Sequence, residues 1–335
     1  MWKYSTGAVY SSPTLSADGA TLFVGSATGA VRAVKTADGS KVWKYDVSDA
    51  VLSSPALSPD GATVFIGSAD YHVYALDASD GSFVWQYKMD GAGGSPTLSP
   101  DGATVFIGSA DYHVYALNTT YGSVVWQYKT GGRVDTSSPT LSPDGATLFV
   151  SSDDGYIYAL SATKGTLVWK YTMGLLYSVS SPTLSADGAT LFVGSGDNNV
   201  YALKATDGSV VWSVYMGGQV FSSPTLSADG ATLFVGSWDR NVYALKATDG
   251  SKKWQYQTGD LVKSSPTLSA DGATLFVGSN DDNVYALSTT DGAVVWQYQT
   301  GDAVWSSPTL SPDGATLFVG SDDGYVYALA TGIST

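Results

Sequence analysis

The chain has 335 residues with a formal net charge of −14, no cysteine and no glutamate. The missing cysteine excludes disulfides, thiolate metal sites and a cysteine nucleophile. The charge opposes nucleic acid and anionic membrane, which need clustered Lys and Arg, and no apolar run reaches the length of a membrane span. Acid supplied wholly by aspartate, beside 38 glycines, belongs to turns rather than helices and points to an all-β chain.

In chain order the sequence opens on Trp2-Lys3-Tyr4, which reads as a strand and leaves no room for a signal peptide after Met1. A Ser-Pro phrase then recurs with its proline at Pro13, Pro55, Pro96, Pro139, Pro182, Pro224, Pro266 and Pro308. Tryptophan keeps the same beat at Trp2, Trp43, Trp85, Trp126, Trp169, Trp212, Trp254 and Trp296. Eight copies of a unit of about 42 residues define a repeat architecture. The sixth unit shows its parts. Residues 222–226, 232–237, 241–246 and 252–257 read as four strands separated by turns, two of them Asp-Gly. The second strand, Thr-Leu-Phe-Val, lacks the alternation of a half-wet sheet, so both its faces are buried. The last strand, at Tyr327-Ala328-Leu329, is a third strand without a fourth. The expected fold is therefore one domain over residues 1–335. It is a closed eight-bladed β-propeller with four antiparallel strands per blade, its N-terminal strand completing the last blade.

The stretch from third strand to tryptophan resembles the repeat of the quinoprotein (PQQ-like) propellers, Ala-x-Asp-x-x-Thr-Gly-x-x-x-Trp. Ala75, Asp77, Gly81 and Trp85 match it, as do Ala202, Gly208 and Trp212, and Ala244, Gly250 and Trp254. The resemblance implies that the eight repeat tryptophans dock against neighbouring blades. The family's enzymes hold a quinone and calcium with glutamate, aspartate and often a vicinal disulfide. With no glutamate and no cysteine, this chain looks closer to the non-catalytic members, among them a bare eight-bladed outer-membrane assembly lipoprotein whose lipidated cysteine is absent here. An extracytoplasmic setting is implied by resemblance alone.

Other chemistry is sparse. His72 and His113 sit in duplicated segments and read as exposed loop residues, two ligands short of a zinc site. The pairs Asp153-Asp154, Asp281-Asp282 and Asp322-Asp323 lack the spacing of a dedicated calcium loop; they read as turns, with calcium the one cofactor they leave open. Trp238-Asp239 occurs once, in a turn, and is no WD repeat. Asn118-Thr119-Thr120 is a sequon of consequence only in a secreted eukaryotic chain.

The copies differ from one another at one end of the blades. Three residues before each repeat proline stand Tyr10, Leu52, Gly93, Thr136, Val179, Phe221, Lys263 and Trp305. In the turn after the second strand stand Ala27, Ala69, Ala110, Asp153, Gly196, Trp238, Asn280 and Asp322. Large and polar side chains collect in blades six, seven, eight, one and two. Tyr10, Leu52, Phe221, Trp238, Lys263, Asn280, Trp305 and Asp322 are accordingly the candidate site for a ligand or protein partner on an otherwise monomeric, non-catalytic ring. A near-uniform ring with no evolved ligand is the competing reading, and a quinone-dependent oxidoreductase is a third, opposed by the missing glutamate.

Overall fold

A computed structural model describes residues 1–174 and 180–332. They form eight four-stranded antiparallel sheets, blades one to seven running from Thr14–Leu15 to Val294–Gln299 and blade eight from Thr309–Leu310 onward. Blade eight takes its fourth strand, Trp2–Ser5, from the N-terminus, with Trp2 opposite Ala328 and Ser5 opposite Tyr325. No helix among the described residues is long and apolar enough to cross a membrane.

Two strand limits differ from those expected. The first strand of blade six is only Thr225–Leu226, because Pro224 has no N–H to give a ladder and the Ser222 hydroxyl instead accepts the Gly236 N–H at 3.0 Å. The second strand stops at Gly236, where the Ser237 N–H turns to the Asn241 carbonyl.

The core lies between blades. Phe192 and Trp212 of blade five pack with Leu233, Val235, Tyr243 and Leu245 of blade six, and the same cluster recurs around the ring. Second and third strands are buried on both faces, as the unbroken apolar runs require. Each repeat tryptophan packs on a phenylalanine of its own blade, Phe65 and Trp85 for example at 5.8 Å. Its indole N–H crosses to a carbonyl of the next blade: Trp2 to Thr36, Trp43 to Ala78, Trp85 to Thr119, Trp126 to Ala162. Trp169, Trp212, Trp254 and Trp296 do the same to Ala205, Ala247, Thr289 and Thr331. The ring therefore couples the burial of each aromatic to a satisfied donor. The glycine of the Asp-Gly turn makes room for the indole: a Cβ on Gly81 would lie 2.6 Å from the Trp43 ring, at φ +74°.

Candidate functional site

The blades meet at a central channel. Its throat is a ring of the serines that precede the repeat prolines. The Ser12 N–H donates to Ser54 Oγ at 2.9 Å, and Ser54 donates to Ser95. The relay resumes at Ser138 and runs through Ser181, Ser223, Ser265 and Ser307 back to Ser12. Below it, threonine hydroxyls donate to the proline carbonyl of the next blade, Thr14 to Pro55 and Thr309 to Pro13 among them, at 2.6 Å each. Serine is short enough to line the throat and polar enough to bond one blade to the next. Because the residue is invariant among the repeats, comparing the copies with one another gives no sign of it.

Above the throat opens a cavity of about 490 Å³, lined on one side by Tyr10, Leu52, Phe221 and Trp305. The variable positions lie together there for a backbone reason. The link entering each blade crosses the end of the preceding blade's second strand so closely that a Cβ on Gly236 would meet Val262 at 2.4 Å, and one on Gly278 would meet Val304 at 2.4 Å. The crossing is held by hydrogen bonds, Val262 N–H to the Ser237 carbonyl and Asn280 N–H to the Leu261 carbonyl. Each variable turn thus sits between two links. Phe221 and Lys263 flank Trp238, Lys263 and Trp305 flank Asn280, and Trp305 and Tyr10 flank Asp322.

The side chains make one continuous chain of contacts. Phe221 meets Trp238 edge to face with ring centroids 4.4 Å apart. The Lys263 ammonium lies 5.1 Å from the Trp238 ring centroid and 3.2 Å from that of Trp305, and Trp305 meets Tyr10 at 5.1 Å. Beneath this cover Trp238 Nε1, Asn280 Oδ1 and Asp322 Oδ1 are buried with no hydrogen-bond partner among the described residues. Burial, with the neighbouring Asp302 charge, pushes the Asp322 carboxyl up to about 6 against the pull of Lys263. Burial also lowers Lys263, which Asp322 and Asp260 partly counter, and raises the Tyr10 phenol.

The turn residues next to Tyr10 and Leu52, Ala27 and Ala69, are small. The other side of the mouth carries Gly93 and Thr136, with Ala110, Asp153 and Gly196 in the turns; Val179 lies outside the described residues. That side holds a charged feature the repeat comparison did not single out. Arg133 donates through Nε and Nη2 to both oxygens of Asp135, at 3.0 and 2.7 Å, on the cavity wall. Only the odd lengths of the links around blade four, which stretch the proline spacing to 43, marked that region.

The remaining polar residues serve turns. Tyrosines of the third strands donate to the aspartate four residues earlier, as Tyr158 to Asp154 at 2.6 Å and Tyr285 to Asp281 at 2.7 Å. Asp154 and Asp281 also accept the Gly131 and Gly259 N–H groups across the turn. His72 and His113 correct the expectation of exposed loop residues. They open third strands with side chains about a fifth to a quarter exposed. Each Nδ1 is 3.0 Å from the carbonyl of Asp70 or Asp111, because the turn doubles back at Tyr71 and Tyr112 with positive φ. Among the described residues no three His, Cys, Asp or Glu side chains gather as metal ligands.

A family model described as outer membrane protein assembly factor BamB matches residues 1–153 and 153–332. Among solved structures, the crystal structure of BamB from Moraxella catarrhalis superposes with a TM-score of 0.81, covering 98% of each chain at 22% identity. No curated protein matches.

Proposed function

Since the chain belongs to the PQQ_2 family, whose model carries the description outer membrane protein assembly factor BamB, we propose that it is a non-catalytic scaffold that docks a protein partner on the channel mouth. The docking face is the arc from Phe221 through Trp238, Lys263, Asn280, Trp305 and Asp322 to Tyr10, extended to Leu52. The observation that carries this reading is where the unpartnered polar atoms lie. Among the described residues, three of the four buried side-chain atoms without a hydrogen bond belong to Trp238, Asn280 and Asp322, equivalent positions of three consecutive blades. Each such atom costs about 1–3 kcal/mol, a burden a ring of near-identical blades has no structural reason to concentrate on one arc. Aromatic residues around a few convergent polar groups are what an interface anchor requires. The resemblance to an assembly factor supports a protein partner and an extracytoplasmic setting.

A photoreactive amino acid at Leu52, 51% exposed on the rim of the mouth, tests the reading in the native host. Crosslinks to a defined protein are expected from position 52 and none from Ala228, at the Asp-Gly end of blade six. The double variant Trp238→Ala/Trp305→Ala should lose those crosslinks with its fold intact. Equal labelling from both ends, or none, favours a ring without a partner.

A further inference from the structure

We infer that the arc receives the ammonium group of a lysine side chain presented by the partner, and that Lys263 holds that place in the free protein. The inference rests on the docking reading above and names the chemistry of what docks. The Lys263 ammonium lies against two indoles contributed by blades six and eight, 3.2 Å from the Trp305 centroid and 5.1 Å from that of Trp238. Stacked aromatic faces of this kind are the usual receptor for a desolvated ammonium. An ammonium carries three donors and no acceptor, and this one spends them on ring faces. In the two turns that the Lys263 and Trp305 links flank, Asn280 Oδ1 and Asp322 Oδ1 are buried acceptors without a hydrogen bond among the described residues, and the Asp322 charge acts on Lys263. Tethered to the link between blades six and seven, Lys263 reaches the rings and leaves both acceptors empty. An ammonium arriving on a free chain from the channel is not held by that tether and has three donors to offer the acceptors as it meets the rings.

The chemistry of other guests fits worse. A carboxylate or phosphate would enter a region carrying Asp260, Asp302 and Asp322 on a protein of net charge −14. A purely apolar side chain would stack on the rings but keep both acceptors orphaned. A lysine serves every group except the indole N–H of Trp238, which is left for a backbone carbonyl of the same partner segment.

The test uses the full chain, labelled with nitrogen-15, and two probes: Nα-acetyl-lysine methylamide and its neutral norleucine counterpart. Binding is read from the indole N–H resonance of Trp238, identified by its loss in Trp238→Phe. Lys263→Ala, which vacates the cage, should bind the lysine probe at least tenfold more tightly than the wild-type chain. It should prefer that probe to the norleucine one by at least tenfold, and Trp305→Leu in the same background should cancel the preference. Lys263→Met, which keeps the aliphatic stem, provides a folded alternative if the alanine variant melts early. Equal affinity for the two probes, or no shift in either folded variant, overturns the inference. If crosslinks from position 52 persist in that case, the docking face stands and only its cation chemistry falls.

Discussion

At the scale of single residues, Asp322 and Arg32 show what departure from the repeat costs. The Asp322 carboxyl is raised from its ordinary 3.8 to about 6 in the folded chain, so the folded state holds the proton more tightly than the unfolded one. That contribution is complete below pH 3.8 and is lost as pH rises through about 6. The full shift corresponds to about 3 kcal/mol, and with the carboxyl partly open to solvent about 1 kcal/mol is expected. Asp322→Asn should therefore raise the melting temperature at pH 7 by about 1–2 °C, and the advantage should vanish near pH 4. A pH-independent difference would refute the assignment. In blade one, Thr28 and Arg32 stand where other blades carry the aspartate–tyrosine pair, and Arg32 Nη1 is buried without a partner among the described residues. Thr28→Asp/Arg32→Tyr should restore the pair and stabilise the chain by about 1–3 kcal/mol, measured by denaturant unfolding. A double variant no more stable than either single one would show that the seam needs the arginine.

At the scale of elements, the fourth strand is shaped by one irregularity. In seven blades its register with the third strand shifts just before the tryptophan, as between Ala116 and Leu117 in blade three. The skipped residue, Val125 or Val295, is left half exposed while the next one, Trp126 or Trp296, turns inward. Docking of that indole against the neighbouring turn is what holds blade to blade. Trp126→Ala should cost about 3–5 kcal/mol. Gly81→Ala should cost about 1–3 kcal/mol, since it adds a Cβ against the Trp43 ring at a backbone angle that alanine resists. Thermal unfolding checks both. A neutral Gly81→Ala would mean that the turn relaxes away from the indole.

At the scale of the whole molecule, stability depends on closing the circle. Trp2–Ser5 pairs with Tyr325–Ala328, the Thr6 N–H reaches the Gly324 carbonyl at 2.8 Å, and Ser307 and Thr309 of blade eight donate to Ser12 and Pro13 of blade one. Removing residues 1–5 deletes a strand and the Trp2 dock together, leaving an open edge. The truncated chain should melt many degrees lower and associate through that edge, which calorimetry and light scattering would detect. An unchanged melting temperature would refute the closure.

Much of this architecture was legible in the sequence because the repeat is written eight times in local chemistry. The Asp-Gly turns, the both-faces-apolar second strands, the spacing of Pro13 to Pro308 and the unpaired strand at Trp2 depend on near neighbours and on counting. They determined blade number, strand number and the joint of the ring. The variable residues were equally visible as departures, Trp238 and Lys263 among them. Their meeting was not, since it depends on a link crossing the end of the preceding blade above Gly236 and Gly278, a contact between segments set by the pitch of the ring. Only the tertiary structure could bring the Lys263 ammonium over Trp305, bury Asn280 Oδ1 and Asp322 Oδ1 without partners among the described residues, and set the Arg133–Asp135 pair on the wall of the mouth. A periodic sequence specifies periodic contacts. Where the repeat is broken, the outcome is decided by which broken positions become neighbours in space.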